Sequence, residues 1–243
     1  MRITKYLIVC TLAILISVGL TLTQRISASI LVEYHLQFAP LVTALYSTVI
    51  AFFLVKRFSL SIKRPAPNVL VFAVCLGLCL YFGLFSFKHA TREIKGADIF
   101  TLMILNNGLL VKFLTAVFLA PLYEEIIFRG AFLGGLLKRN NRVVSVLVVS
   151  VLFTIFHVTY PVNTTVMVNL IGVFLSSVVF SGMYLRTNSI IVPILIHSTF
   201  NLATFTFTTT LFPSLSGMGD SFVFLLSIFA FFFFFKQIRT DNA

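Results

Sequence analysis

The stretch LYEEIIFRG, residues 122–130, places two adjacent glutamates and an arginine inside a long apolar run. The chain has only seven acidic residues, so two of them in an apolar segment require an explanation. Glu125 and Arg129 stand four residues apart, a spacing that puts both side chains on one helix face and suits an ion pair. Glu124 points about 100° away from Glu125 on such a helix and is left outside that pair.

The composition is that of a membrane protein. Mean hydropathy is +1.05 and 10% of residues are charged, against roughly 25% in soluble domains. Apolar runs recur at about the 17–25 residues that a helix needs to span a bilayer. We predict an all-α, polytopic transmembrane helix bundle that forms a single integral-membrane domain over residues 1–243. About eight spans are expected, at 6–23, 38–55, 69–87, 108–137, 143–160, 164–185, 188–210 and 220–235.

The net charge of +11 does not indicate nucleic-acid binding, because the basic residues fall in short loops between apolar spans. With the amino terminus in the cytoplasm, twelve Lys and Arg lie on the cytoplasmic side and four on the other. This bias follows the positive-inside rule and predicts that both termini are cytoplasmic. A basic cytoplasmic face also attracts anionic lipid, so the bilayer itself is an expected partner.

Ionisable groups inside spans are costly, at about 2.5–3.5 kcal/mol near the bilayer centre, and they often mark functional sites. Glu124 lies fourteen residues before Lys138, or roughly 21 Å along a helix. The corresponding path from Arg142 to His157 is roughly 22 Å, and that from Arg186 to His197 roughly 16 Å. Three helices are therefore expected to bring polar groups to a similar depth.

Neighbouring residues support a polar pocket at this depth. His197 and Asn201 are four residues apart and share a helix face. Pro121 precedes the glutamates, and a proline frees a backbone carbonyl, which membrane helices tolerate where they line a cavity. Gly130 and Gly134 have the spacing that lets another helix approach closely. Each feature alone has a structural reading, such as a buried ion pair or a histidine bonded to a carbonyl.

The combination resembles one known family. The EExxxR motif is Glu124, Glu125 and Arg129, the FxxxH motif ends at His157, and the HxxxN motif is His197 and Asn201. In this order and spacing the chain is similar to the CPBP family of intramembrane proteases, which includes the CAAX prenyl endopeptidases and their bacteriocin-linked bacterial relatives. The resemblance covers roughly residues 100–210, which we take as the catalytic core.

The resemblance implies an endopeptidase that hydrolyses peptide bonds of membrane-associated substrates. Glu124 and His157 would activate water, and His197 and Asn201 would form an oxyanion hole. Glu125 and Arg129 would support the site. A cofactor is not favoured, but zinc held by Glu124, His157 and His197 is the alternative, since two histidines and a carboxylate form a familiar catalytic zinc set.

Two other functions remain open on the sequence. One is a non-catalytic immunity or binding protein on the same scaffold, and the other is a small transporter that uses Glu and His as a proton relay. A transporter would need polar residues from one membrane face to the other, whereas here they form one layer. The expected partners are a membrane protein or a lipidated, membrane-anchored peptide. The short loops suggest a bacterial protein of the inner or plasma membrane.

Overall fold

The computed structural model describes residues 63–90, 113–158 and 162–210, together with the single positions 49, 229 and 232. These ranges form five consecutive helical stretches without a β-strand, as predicted for an all-α protein. The stretches are α1 (Pro67–Ala90), α2 (113–136), α3 (Arg142–Phe156), α4 (Thr164–Thr187) and α5 (Ile191–Thr210).

Two of these helices are long and apolar enough to cross a membrane, over Pro67–Leu84 in α1 and Val166–Thr187 in α4. The shorter apolar helices Arg142–Phe156 and Ile191–Phe205 belong to α3 and α5. Each predicted span from 69–87 to 188–210 overlaps a described helix, but the count of eight is not confirmed. Apart from the single positions 49, 229 and 232, the predicted spans 6–23, 38–55 and 220–235 lie outside the described residues.

Helix α3 is shorter than predicted, because it ends at Phe156 rather than at residue 160. Its C-cap is His157, whose backbone (φ −96°, ψ 5°) leaves the helical region. The predicted span was drawn from hydropathy alone, and hydropathy does not register that the backbone leaves the helical conformation at His157. The consequence for function is that His157 sits at a helix end and not in mid-helix.

Helix α2 changes its hydrogen-bond register along its length. Thr115–Leu119 and Ile126–Leu133 are π-helical, while Ala120–Glu125 and Gly134–Leu136 are α-helical. Pro121 contributes to this pattern, because it has no N–H to donate to the carbonyl four residues earlier. Segments of π-helix are rare and frequently occur at functional sites. Here they flank the turn that carries both glutamates.

Local side-chain bonds define the starts of α3 and α4 and the turn between α4 and α5. Asn141 and Asn163 cap α3 and α4, each accepting a hydrogen bond from a backbone N–H three residues later at 2.9 Å. Asn188 ends α4 in the left-handed conformation (φ 49°), which asparagine tolerates better than most residues. Ser189 Oγ then donates to Lys63 O at 2.6 Å and ties the α4–α5 turn to the chain before α1.

Two clusters of buried apolar side chains hold the described helices together. The first joins α2 and α3 around Phe128 and Phe153. The second joins α1, α4 and α5 around Leu76, Phe180 and Ile196. Burial of such side chains contributes about 1.5–3 kcal/mol each. The two clusters leave α2, α4 and α5 in contact at the level of the polar residues.

Among the described helices a close approach occurs at Gly77, and none is seen at Gly134, one of the two glycines of the predicted GxxxG pair. A Cβ on Gly77 would lie 2.7 Å from Ile196 O and 2.7 Å from Thr199 Cβ, so α1 is pressed against α5. A Cβ on Gly134 would meet only Arg129 O, at 4.0 Å, within the described part of the chain. The packing role predicted for Gly134 is therefore not seen among these helices.

Candidate active site

The ion pair between Glu125 and Arg129 is present and fully buried. Arg129 Nη1 donates to Glu125 Oε1 at 3.1 Å, and both side chains have no exposed surface. The i, i+4 spacing on one face of α2 brings them together, as the sequence predicts. A buried charge is tolerated when it is paired and hydrogen-bonded, and the pair gives α2 a fixed polar face.

Arg129 is anchored further by α4. Its Nη2 donates to Ser177 Oγ at 2.7 Å and to Ser177 O at 3.1 Å. The guanidinium carbon also lies 4.6 Å from the centre of the Phe153 ring and 5.2 Å from that of Phe180. A planar guanidinium is suited to such combined hydrogen bonding and aromatic contact. One arginine thus connects α2, α3 and α4.

His197 is positioned by Glu125 and Phe180. Its Nδ1 lies 2.9 Å from Glu125 Oε1, and because a carboxylate can only accept, Nδ1 carries the proton in this contact. The imidazole ring stacks on Phe180, with ring centres 4.9 Å apart and planes 21° apart. These contacts fix the ring and direct Nε2 toward Glu124, whose Oε2 is 4.0 Å away.

His157 is positioned by its own helix. Its Nδ1 donates to Phe153 O at 2.8 Å, so a neutral ring has its lone pair on Nε2. The ring lies against Phe153, with centres 4.4 Å apart. His157 Nε2 is 3.7 Å from Glu124 Oε2, and 30% of its side chain is exposed. The Phe and His of the FxxxH motif are therefore in direct contact, and the His157 ring is partly exposed.

Glu124 lies where the two histidines converge. Only 6% of the Glu124 surface is exposed. Its Oε2 faces both Nε2 atoms but has no hydrogen-bond donor within the ranges that the structure covers. When both rings are neutral, the two Nε2 atoms and Glu124 Oε2 are all acceptors and cannot bond to one another directly. This arrangement favours binding of a molecule that can donate, such as water.

Asn201 lies one turn beyond His197 on α5, and its amide is engaged with α2. Asn201 Nδ2 donates to Ala116 O at 2.8 Å. The amide group has two N–H donors, so one remains after this bond. The structure thus places Asn201 beside the site while fixing its orientation through the backbone of α2.

The donors are of a kind that suits a metal ion. Glu124 Oε2 and the Nε2 atoms of His157 and His197 match a zinc set in chemistry. Each histidine also donates through Nδ1 to an oxygen, as metal-bound histidines do. In the described ranges, however, no three His, Cys, Asp or Glu side chains lie close enough together to hold a metal ion as they stand. The three donor groups therefore match zinc in their chemistry, but the distances between them in this structure do not match a zinc site.

Three contributors to the site do not stand out in the sequence. Ser177 and Phe180 from α4 hold Arg129 and His197, and Ala116 supplies the carbonyl that binds Asn201. Ser177 belongs to an ordinary apolar span with several serines, and Ala116 acts through its backbone. Pro121 was the one indication in the sequence. A proline leaves a nearby backbone carbonyl without its N–H donor, but it does not identify the group that binds this carbonyl.

Fold and site together define a helical membrane protein that gathers a carboxylate pair, an arginine, two imidazoles and an amide between four helices. The family model described as Rce1-like, Type II CAAX prenyl endopeptidase Rce1-like, matches residues 106–203. This segment lies within the predicted core 100–210 and contains all six predicted site residues. The resemblance to intramembrane proteases of the CPBP type is therefore confirmed over these residues, and the family is one of membrane-embedded peptidases.

Comparison with curated proteins gave no match, and comparison with solved structures gave none either.

Proposed function

We propose that the chain is an intramembrane endopeptidase in which Glu124 and His157 activate the attacking water. One observation carries the proposal: Glu124 Oε2 is buried, has no hydrogen-bond donor among the described residues, and faces the Nε2 atoms of His157 at 3.7 Å and His197 at 4.0 Å. A general base must reach the proton that it removes directly or through one water. A water held between Glu124 and His157 meets that requirement.

The reaction needs both a base and a stabiliser of negative charge. Water loses a proton to the Glu124–His157 pair as its oxygen bonds to the peptide carbonyl carbon, and the carbonyl oxygen becomes an oxyanion. The proton then passes to the amine nitrogen as the C–N bond breaks. Donors aimed at an oxyanion are worth about 2.7–4 kcal/mol each. His197 Nε2 and the second Asn201 N–H would fill that role.

The proposed role of His197 depends on Glu125. Because Nδ1 already donates to Glu125 Oε1, His197 donates through Nε2 only when the ring carries two protons. Glu125 Oε1 fixes the orientation of the ring through Nδ1. Arg129, which is itself bound to Ser177, keeps the carboxylate in place. Glu125 and Arg129 are thus assigned a supporting role.

A metal-dependent reaction would use the same residues. Glu124, His157 and His197 would hold zinc, which when bound supplies a Lewis acid and a nucleophilic water. We favour catalysis without a metal. The test is a chelator series with zinc add-back on purified protein, and loss of activity that zinc restores would contradict this preference.

The proposed substrate is a membrane protein or a lipidated, membrane-anchored peptide, and the proposed location is a bacterial inner or plasma membrane with both termini inside. The family supports a membrane-associated peptide. The His157 side chain is 30% exposed at the end of α3, so a peptide is expected to approach from there.

The proposal is tested with purified protein in liposomes and a panel of membrane-anchored peptides, farnesylated and unmodified. Mass spectrometry identifies any fragments. Wild type is expected to cut at least one peptide at a defined bond, whereas Glu124→Gln and His157→Gln leave it intact. Equal cleavage by wild type and Glu124→Gln would contradict the proposal. A folded wild type that cuts nothing would favour the immunity or binding function.

A further inference from the structure

The hydrogen bond between Asn201 and Ala116 replaces one that the backbone of α2 cannot make. In the π-helical segment Thr115–Leu119, the N–H of Ala120 donates to Thr115 O, five residues earlier. In the same register Ala116 O would accept from residue 121. That residue is Pro121, which has no N–H. Asn201 Nδ2 donates to this carbonyl instead, at 2.8 Å.

An α-helical register would not supply the missing donor either. Ala116 O would then accept from the N–H of Ala120, which is already used by Thr115 O. An unpaired carbonyl in an apolar membrane interior is costly, because no water is present to bind it. The side chain of Asn201 is thus the group that satisfies the backbone at the proline.

The bond also fixes α5 against α2 close to Glu124. Pro121 begins the α-helical turn Ala120–Glu125, which carries both glutamates. Beyond Asn201, Phe113 and Phe205 meet edge to face with ring centres 5.3 Å apart, so the two helices stay in contact there. On the other side, His197 binds Glu125. The turn with Glu124 is therefore held by α5 at both ends.

We propose that Asn201 is a positioning residue that supplies the hydrogen bond missing at Pro121 and thereby holds Glu124 at its distance from His157 and His197. This role rests on the proposed function for its effect on catalysis, but the bond itself does not. It goes beyond the oxyanion role of Asn201, which uses the other amide N–H.

The test is a double-mutant cycle with wild type, Asn201→Ala, Pro121→Ala and the double variant. Alanine at 121 restores a backbone N–H, which reaches Ala116 O in the π register or frees the N–H of Ala120 for it in the α register. Thermal unfolding of the purified proteins in detergent reports the bond. The kcat and KM values for a peptide that wild type cleaves report the position of Glu124.

Asn201→Ala is expected to lower the melting temperature and kcat, with little change in KM. In the Pro121→Ala background the same substitution should cause a much smaller decrease in the melting temperature and in kcat. The loss of kcat caused by Asn201→Ala should be about tenfold smaller in the Pro121→Ala background, a factor that corresponds to one buried hydrogen bond. The remaining loss of kcat measures the oxyanion role.

Two results would overturn the proposal. An equal decrease in melting temperature on Asn201→Ala in both backgrounds would show that the Asn201 side chain does not replace the donor missing at Pro121. Recovery of the melting temperature without any recovery of kcat would show that the bond does not position Glu124. If wild type cleaves no peptide, the proposed function fails, and the unfolding data for the four proteins still decide whether Asn201 replaces the proline donor.

Discussion

Glu125 Oε1 receives two hydrogen bonds, from Arg129 Nη1 at 3.1 Å and from His197 Nδ1 at 2.9 Å. The second of these joins α2 to α5 across the site. The adjacent residue Glu124 faces the Nε2 side of the same imidazole. The two neighbouring glutamates therefore face the two nitrogens of one histidine, Glu125 through a hydrogen bond at 2.9 Å and Glu124 at 4.0 Å.

Arg129→Lys is expected to destabilise the protein strongly, although it keeps the charge. A lysine cannot bind Glu125 and Ser177 together through a planar fork, and it loses the flat contact with Phe153 and Phe180. Disrupting a buried pair costs about 3–5 kcal/mol. Denaturant unfolding in detergent measures the loss.

The matched control is Arg142→Lys, because Arg142 is exposed at the start of α3. It should change the free energy of unfolding by less than about 0.5 kcal/mol. Equal stability of Arg129→Lys and the control would contradict the anchoring role of Arg129.

Ser177→Ala and Ser176→Ala form an informative pair on α4. Ser177 Oγ accepts from the charged Arg129 at 2.7 Å, whereas the adjacent Ser176 Oγ is buried without a partner in the described structure. Hydrogen bonds to charged groups contribute about 1.5–3 kcal/mol. Ser177→Ala should lower stability by that amount and reduce turnover, and Ser176→Ala should be neutral or slightly stabilising. A reversed order of the two variants in thermal unfolding would refute the assignment.

Gly77→Ala should impair the enzyme through α5, although α1 lies outside the matched segment 106–203. The added Cβ would meet Ile196 O and Thr199 Cβ at 2.7 Å, directly beside His197. Helix α5 must then move, and His197 moves with it. We expect lower kcat and a lower melting temperature, measured on the purified protein.

Gly182→Ala is the control for Gly77→Ala, because nothing lies within 4 Å of its added Cβ in the described part of the chain. Replacing a helical glycine by alanine alone should stabilise by about 0.5–1 kcal/mol. If both variants behave alike, α1 does not position α5.

The sequence predicted the helices and the contacts within one helix, because these depend on local periodicity. The Glu125–Arg129 pair and the Phe153–His157 contact both follow from i, i+4 spacing. Contacts between helices could not be predicted in this way, since they depend on how the helices rotate and tilt. Ser177 and Gly77 are such cases, and the GxxxG pattern pointed to Gly134 instead.

The common level of Glu124, His157 and His197 along their helices was predictable, but the register of the backbone hydrogen bonds was not. Similar distances from the basic loops predicted that His157 and His197 are neighbours of Glu124, and the structure brings all three together. The π-helical segments of α2 and the early end of α3 alter which carbonyls are free and which side chains are exposed. Such changes arise from single backbone hydrogen bonds, which hydropathy does not report.

The most direct test of peptidase function compares cells that make wild type with cells that make Glu124→Gln at matched levels, after thermal unfolding has shown that both proteins are folded. New protein termini in the membrane and secreted fractions are catalogued by mass spectrometry. Glutamine keeps the shape of Glu124 but cannot accept a proton as a base. We predict that specific termini disappear in the variant, and these termini identify the substrate and the bond cut. Identical catalogues, with any host phenotype of the wild type retained in the variant, would contradict catalysis by Glu124.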